Sequence, residues 1–206
     1  MKLFTLALGV TISASSLASL VGVLGTDVRI FNPGNVVPNV VQSNFVNCFT
    51  EKTGVYLTSP LLLDHVNTNT VAAVGDLVPG VIPKGNNIDS HFIHFDPVQN
   101  LTREGVATFD QKIVGVIISN PLFNGTHGPL GHPAVTYGVS SGAYGLELGS
   151  DKFTISGDRL NIRFSLTASN PGDRIRVITA SAVPEPGTLV ALMAGLGLVI
   201  SRRRKA

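Results

Sequence analysis

The segment that contains His91, His94 and Asp96 carries residue types that commonly bind metal ions. It lies in an apolar run that favours a β-strand, and side chains alternate between the two faces of a strand. His94 and Asp96 therefore share one face and His91 points to the other, so a regular strand cannot present all three to one ion. The pair His94 and Asp96, completed by loop residues, is a candidate metal site. In the competing interpretation one histidine packs beneath the sheet and Asp96 begins a turn.

A second candidate site is a glycine- and proline-rich segment, residues 125–133, which contains His127 and His132. Its composition predicts a long exposed loop, and loops on a rigid scaffold often carry binding residues. Tyr137 and Tyr144 follow in a stretch rich in serine and glycine that could contact a sugar. These four residues form a candidate ligand loop, with an ordinary surface loop as the alternative. The chain has no tryptophan, which argues against a lectin.

The sequence assigns no cofactor. Several aspartates could contribute to a structural Ca²⁺ site, although none has the spacing of an EF-hand. They are Asp64, Asp76, Asp89, Asp96 and Asp110. A structural Ca²⁺ is therefore a candidate cofactor whose ligands the sequence does not identify.

No catalytic residues are predicted. The chain has no His-Glu-x-x-His motif, and Glu51, Glu104 and Glu147 are isolated in sequence. We therefore expect a protein that is not an enzyme. The enzymatic alternative is a secreted hydrolase, whose cleft would have to bring His94, Asp96 or the loop histidines within hydrogen-bond range of a carboxylate.

The elements that would position these residues are predicted to be strands. Residues 159–166 alternate strictly, with Leu160, Ile162, Phe164 and Leu166 on one face and polar residues on the other. A Gly-Asp turn precedes this strand, and an Asn-Pro-Gly-Asp turn separates it from a second alternating segment, residues 174–179. Residues 152–180 therefore predict a three-strand meander.

The rest of the central region also favours β-structure. The apolar run of residues 113–118 predicts a central strand covered on both faces, and residues 54–63 and 90–95 are further strand candidates. Residues 26–47 predict a first strand plus loops. Short strands separated by regular turn signals indicate an all-β fold, an antiparallel β-sandwich that resembles a jelly roll.

The charge of the chain is unevenly distributed. Of 15 basic residues, Lys2 and four near the C-terminus lie at the ends, so ten basic residues remain between them against twelve of the 13 acidic ones. The central domain is slightly acidic, which gives no indication of nucleic-acid binding. Its one cysteine, Cys48, lies in an apolar neighbourhood and predicts a small buried side chain.

The N-terminus has the pattern of a secretory signal. Lys2 is followed by an apolar run and then by small residues, so we assign residues 1–18 as a helical signal peptide that is cleaved after Ala18, with Ala14 as the other candidate position. A retained membrane anchor is the alternative. Export requires the Sec translocon and signal peptidase as partners.

The C-terminus combines three features in residues 183–206. Pro184, Glu185 and Pro186 precede an apolar segment, and a basic cluster follows it, formed by Arg202, Arg203, Arg204 and Lys205. The apolar segment, residues 188–200, is shorter than the roughly 20 residues of a typical transmembrane helix, so it predicts a short span suited to a transient stop. The basic cluster stays on the cytoplasmic side, which places the domain of residues 19–182 outside.

This three-part pattern resembles the PEP-CTERM sorting signal of Gram-negative bacteria. The resemblance implies that exosortase, a membrane-embedded enzyme similar to cysteine transpeptidases, recognises Pro184, Glu185 and Pro186 and cuts near them. It further implies transient anchoring in the inner membrane, followed by delivery to the cell surface or extracellular matrix. Because exosortase genes tend to accompany exopolysaccharide genes, it also suggests an exopolysaccharide partner. An ordinary tail anchor is the alternative.

From these features we expect a structural or adhesive protein of the surface or matrix, with a carbohydrate- or Ca²⁺-binding module as the second hypothesis.

Overall fold

The computed structural model describes residues 20–31, 43–137, 145–169 and 172–181. The assigned signal peptide and the C-terminal sorting segment lie outside these ranges, and Tyr144 does too. The described elements in chain order are β1 (Leu20–Leu24), β2 (Val28–Ile30), β3 (Ser43–Tyr56), β4 (Leu61–Leu63), β5 (Thr70–Val71), a 3₁₀ turn (Val74–Asp76), β6 (Gly80–Ile82), β7 (Asn87–Asp96), β8 (Leu101–Phe109), β9 (Ile113–Ile117), α1 (Asn120–Leu130), β10 (Lys152–Ile155), β11 (Asn161–Ala168) and β12 (Asp173–Ala180).

Two five-stranded sheets pack against each other. Sheet 1 has the order β1-β8-β11-β10-β5, and sheet 2 has the order β2-β3-β7-β12-β9. The strand pairs in both sheets are antiparallel except β2 and β3, which are parallel. The predicted β-sandwich is confirmed, and among the described strands of the two sheets only the β2–β3 pair departs from antiparallel pairing. The jelly-roll likeness stays a prediction.

The core between the sheets comes from alternate residues of both. Ile162, Phe164 and Leu166 of β11 are buried there, as their alternation predicted. Gly105 lies opposite Phe164, and a Cβ at this position would come within 2.8 Å of the phenyl ring. Cys48 is buried in the same core, and burial raises the pKa of its thiol to about 12. Cys48 is therefore an unreactive residue that packs as a small apolar side chain.

A second apolar cluster covers the outer face of sheet 2. Phe49, Phe92 and Ile178 contribute from the sheet, and Phe123 and Leu130 contribute from α1. Sheet 2 is thus buried on both faces near β7 and β12.

Two sequence predictions about strand order are wrong. The hairpin of β10 and β11 forms as expected, but β12 joins sheet 2, where it pairs with β7 and β9. The predicted meander therefore ends after β11. In sheet 2, β12 is covered on both faces. The strand β9 is covered on both faces as predicted, yet it occupies the end of its sheet and not the centre.

Other strand predictions need smaller changes. Residues 90–95 lie within β7 as expected. Residues 54–63 are not one strand, because β3 ends at Tyr56 and β4 begins at Leu61 after Pro60, which cannot donate a backbone hydrogen bond. Residues 26–31 form a turn and β2, and β3 begins at Ser43.

We predict that Phe164→Ala lowers the free energy of unfolding by about 3–5 kcal/mol, because it leaves a cavity between the sheets. Chemical denaturation measures the change. Val98→Ala is the control, since Val98 is 69% exposed, and it should change stability by less than about 0.5 kcal/mol. Equal effects of the two variants would contradict the described core.

Candidate functional site

Carboxylates from separate parts of the chain meet at one end of the sandwich. Glu147, Asp151 and Asp173 each offer one oxygen, and these oxygens all lie within 4.8 Å of one another. Asp151 and Asp173 are buried, whereas Glu147 is exposed. Sequence analysis treated Glu147 as isolated, and the fold corrects that expectation.

A tight turn fixes two of these groups. The backbone N–H of Glu147 donates to Asp151 Oδ2 at 2.8 Å, and that of Thr167 in β11 donates to Asp151 Oδ1 at 2.7 Å. The backbone N–H groups of Ser150 and Asp151 donate to the carbonyl of Glu147. Gly149 has a φ of 128°, which favours glycine. Asp151 therefore ties the turn of residues 147–151 to sheet 1.

The third carboxylate comes from sheet 2. Asp173 begins β12, directly opposite Phe95 of β7. It is only 1% exposed, and among the described residues no N–H or hydroxyl group donates a hydrogen bond to either of its carboxylate oxygens. The side chain that approaches it is the carboxyl group of Glu147. Burial, followed by the charges of Asp151 and Glu147, raises the pKa of Asp173 to about 9.

Asp96 is the neighbouring carboxylate at the end of β7. It is 4% exposed, its Oδ1 atom lacks a partner, and burial raises its pKa. Its charge also contributes to the raised pKa of Asp173. This end of the sandwich therefore brings four carboxyl groups together, and a set of oxygen ligands of this kind suits a hard cation.

The predicted candidate residues lie on different faces of β7. His91 points into the core between the sheets, where it contacts Phe109 and forms hydrogen bonds with Thr50 and Thr179. His94 points to the outer face beside Phe92. Opposite faces for the two histidines were predicted. Burial lowers the pKa of His91 to about 3 and that of His94 to about 4, so both are neutral near pH 7.

Three of the other four aspartates named as calcium candidates accept backbone hydrogen bonds that hold local structure, and Asp110 is the exception. Asp64 accepts from the N–H groups of Ile118 and Ser119, which precede α1. Asp76 accepts from two residues before the 3₁₀ turn, and Asp89 accepts from Gly54. These three carboxylates hold turns and strand ends in place.

The outer face of sheet 2 contains a buried ion pair. Arg176 donates from Nε and Nη2 to the two carboxylate oxygens of Glu51, at 2.6 and 2.7 Å, and both side chains are fully buried. Ser90 donates to the same carboxylate at 2.6 Å, and Arg176 donates to Thr126 of α1 at 2.6 Å. Charge and hydrogen bonds are therefore matched, as burial of an ion pair requires.

Aromatic rings cover this ion pair. The guanidinium carbon of Arg176 lies 4.5 Å from the ring centroid of Phe123 and 5.6 Å from that of Tyr137. His127 stacks on Tyr137 with centroids 4.6 Å apart. Arg174 is also buried, donates to Asn120 and lies 4.3 Å from Phe123.

The predicted exposed loop is therefore wrong for residues 125–130, which belong to α1. Phe123, Thr126 and Leu130 have helical spacing and face the sheet. Pro121 lies in the first helical turn, where proline is tolerated because its missing N–H is not needed. Tertiary burial thus overrides a composition that favours a loop.

The described residues of the candidate ligand loop, His127, His132 and Tyr137, have different surroundings. His127 and Tyr137 belong to the aromatic cover, and burial, followed by the charges of Arg176 and Arg174, lowers the pKa of His127 to about 4. His132 lies in a turn, where its backbone N–H donates to the Tyr137 hydroxyl at 2.8 Å. His127 and His132 thus both contact Tyr137, His127 through its ring and His132 through its backbone N–H.

One pattern escaped sequence analysis. Residues 138–142 read Gly-Val-Ser-Ser-Gly, which has the Gly-x-Ser-x-Gly spacing of a serine hydrolase elbow. That elbow requires a strand directly before it and a helix directly after it. The pentapeptide lies outside the described residues, and the described segments beside it, residues 132–137 and 145–147, form neither strand nor helix. The pattern alone therefore carries no assignment.

Comparison with protein-family models matches residues 182–205 to the PEP-CTERM protein-sorting motif. The chain carries a PEP-CTERM motif. It includes Pro184, Glu185, Pro186 and the basic cluster, as their pattern predicted. No curated protein and no solved structure shows significant similarity to the chain.

The PEP-CTERM motif implies an exported, cell-surface-associated protein that exosortase processes. Within the described residues, no helix is long and apolar enough to cross a membrane.

We predict that Arg176→Met lowers the free energy of unfolding by about 3–5 kcal/mol, because it leaves the Glu51 carboxylate buried without its counter-charge. The double variant Glu51→Leu with Arg176→Met should lose less than the sum of the single losses. Arg103→Met is the matched control, because the Arg103–Asp27 pair is partly exposed, and it should cost less than about 1 kcal/mol. If the double variant lost as much stability as the two single variants together, the described coupling between Glu51 and Arg176 would be contradicted.

Protonation of His94 gives a pH prediction. Its pKa is about 4 in the folded chain, below the usual 6.5, because burial and the charge of Arg174 disfavour the charged form. The unfolded state therefore binds a proton first as pH falls, and stability decreases between about pH 6.5 and pH 4. Replacing His94 with Asn should reduce the slope of unfolding free energy against pH by up to about 1.4 kcal/mol per pH unit in this window. An unchanged slope would contradict the burial of His94.

Proposed function

We propose that this protein is a non-enzymatic component of the cell surface or extracellular matrix of a Gram-negative bacterium. The Sec translocon exports it, signal peptidase removes residues 1–18, and the short apolar segment of residues 188–200 holds it briefly in the inner membrane. Exosortase then cuts near Pro184–Pro186. The delivered β-sandwich acts by adhesion or structural association with exopolysaccharide.

The observation that carries this proposal is the PEP-CTERM motif at residues 182–205. The position of the domain relative to the motif supports it. The last strand, β12, ends at Ala180, and the motif begins at residue 182. The folded domain and the processing site are therefore separated by only a few residues, so processing occurs close to the folded sheet.

A polysaccharide-binding module is the second candidate function. A groove on sheet 1 is lined by charged and hydroxyl-bearing side chains, which are Thr70, Glu104, Lys152, Thr154, Arg163 and Ser165. Lys152 and Arg163 are exposed, and cations of this kind suit an acidic polysaccharide. Cosedimentation with the host polysaccharide, with and without Arg163→Ala, distinguishes this function from passive association.

The sorting proposal predicts that Glu185→Ala prevents processing. Intact mass and cell fractionation are measured in the native host for the wild type, for Glu185→Ala, and for Glu104→Ala as a control that removes an exposed carboxylate from the domain. We expect the wild type and Glu104→Ala to lose Arg202–Lys205 and leave the inner membrane, whereas Glu185→Ala keeps its tail there. If the wild type also keeps Arg202–Lys205 in the inner membrane, the chain is a tail-anchored periplasmic protein and the proposal is wrong.

A further inference from the structure

The carboxylates at the end of the sandwich have no role in sorting. Glu147 and Asp151 lie in one turn, Asp173 begins β12, and Asp96 ends β7. The ion pairs Arg103–Asp27 and Arg176–Glu51 involve none of these four groups.

Asp173 distinguishes this cluster from an ordinary acidic surface. Only 1% of Asp173 is exposed to solvent, yet neither of its carboxylate oxygens accepts a hydrogen bond from the described residues. One of its oxygens lies within 4.8 Å of oxygens from Asp151 and Glu147. A buried carboxylate without a donor is costly unless it is protonated or binds a cation. Asp173 therefore directs its carboxyl group toward Asp151 and Glu147, and no N–H or hydroxyl donor of the described residues reaches it.

The spacing of the oxygens fits a single ion. Calcium binds oxygen at about 2.3–2.6 Å, so two ligands of one Ca²⁺ can be at most about 5 Å apart. The three carboxylate oxygens meet this limit. Asp151 is already held by two backbone N–H donors, so one ligand is positioned before an ion binds.

From this geometry we propose that Glu147, Asp151 and Asp173 form a Ca²⁺ site that joins the turn of residues 147–151 to the first residue of β12. Asp96 adds negative charge from β7. All the proposed ligands are carboxylate oxygens, which select hard cations, and they come from an irregular turn and a strand end. Such a flexible set suits Ca²⁺ better than Mg²⁺, which requires near-octahedral geometry.

The site would link the two sheets. Asp151 is bonded to β11 of sheet 1 through Thr167, and Asp173 belongs to sheet 2. A cation between them converts mutual repulsion into attraction, so Ca²⁺ should stabilise the folded domain. Extracellular modules bind Ca²⁺ with dissociation constants of about 10⁻⁴–10⁻³ M, and the same range is expected for an exported protein.

The test is thermal unfolding of the purified full-length chain with CaCl₂, with MgCl₂, and with EDTA, at constant ionic strength. We expect 10 mM CaCl₂ to raise the Tm of the wild type by about 5 °C relative to EDTA. Asp173→Asn removes the charge with little change in shape and should abolish the shift. Glu104→Gln is the matched control, because it removes one exposed carboxylate elsewhere, and it should keep the full shift.

Glu147→Gln tests the site independently if Asp173→Asn fails to fold, because Glu147 is exposed. It should weaken calcium binding at least tenfold by isothermal titration calorimetry. The proposal is overturned if CaCl₂ gives the wild type no shift, if Asp173→Asn keeps the shift, or if MgCl₂ matches CaCl₂. None of these results affects the sorting proposal, which rests on residues 182–205.

Discussion

The outer face of sheet 2 contains charged residues, and the chain must cover them while satisfying their hydrogen bonds. Arg176 on β12 and Glu51 on β3 form a fully buried bidentate pair across β7. The helix α1 completes it through Thr126, and Phe123 and Tyr137 cover the guanidinium. Because an incomplete network of this kind is strongly destabilising, the position of α1 and of the turn that carries Tyr137 depends on this one interaction.

This network explains which strands could be predicted. In β11 the apolar residues face the core and polar ones such as Arg163 face solvent, so alternation indicated both the strand and its buried face. In β12 the same alternation places Arg174 and Arg176 on the outer face, and that pattern suggested a third strand of the meander. Both arginines are buried, since α1 covers them. Local periodicity does not contain the tertiary cover, so the meander and the exposed loop were mispredicted together.

The two functional regions also differ in how far the sequence reveals them. The sorting motif is contiguous, so its proline pair, apolar segment and basic cluster could be found without a fold. The carboxylate cluster combines residues 147, 151 and 173, which only the sandwich brings together. The available signals were acidic residues beside glycine turns at strand boundaries, and these are too common to identify a site. Sequence analysis paired Asp96 with His94, which shares its strand face, and did not anticipate Asp173, which lies at the same end of the sandwich.

The short distance between β12 and the sorting motif has a mechanical consequence. A terminus attached near Pro184–Pro186 would transmit force directly into β12, which lies between β7 and β9. In antiparallel sheets the hydrogen bonds run perpendicular to the strands. A force along β12 therefore acts at right angles to its backbone hydrogen bonds with β7 and β9. These bonds share the force and do not break one after another. The domain is thereby held through a strand that is bonded on both sides, which suits a protein that experiences drag at a cell surface.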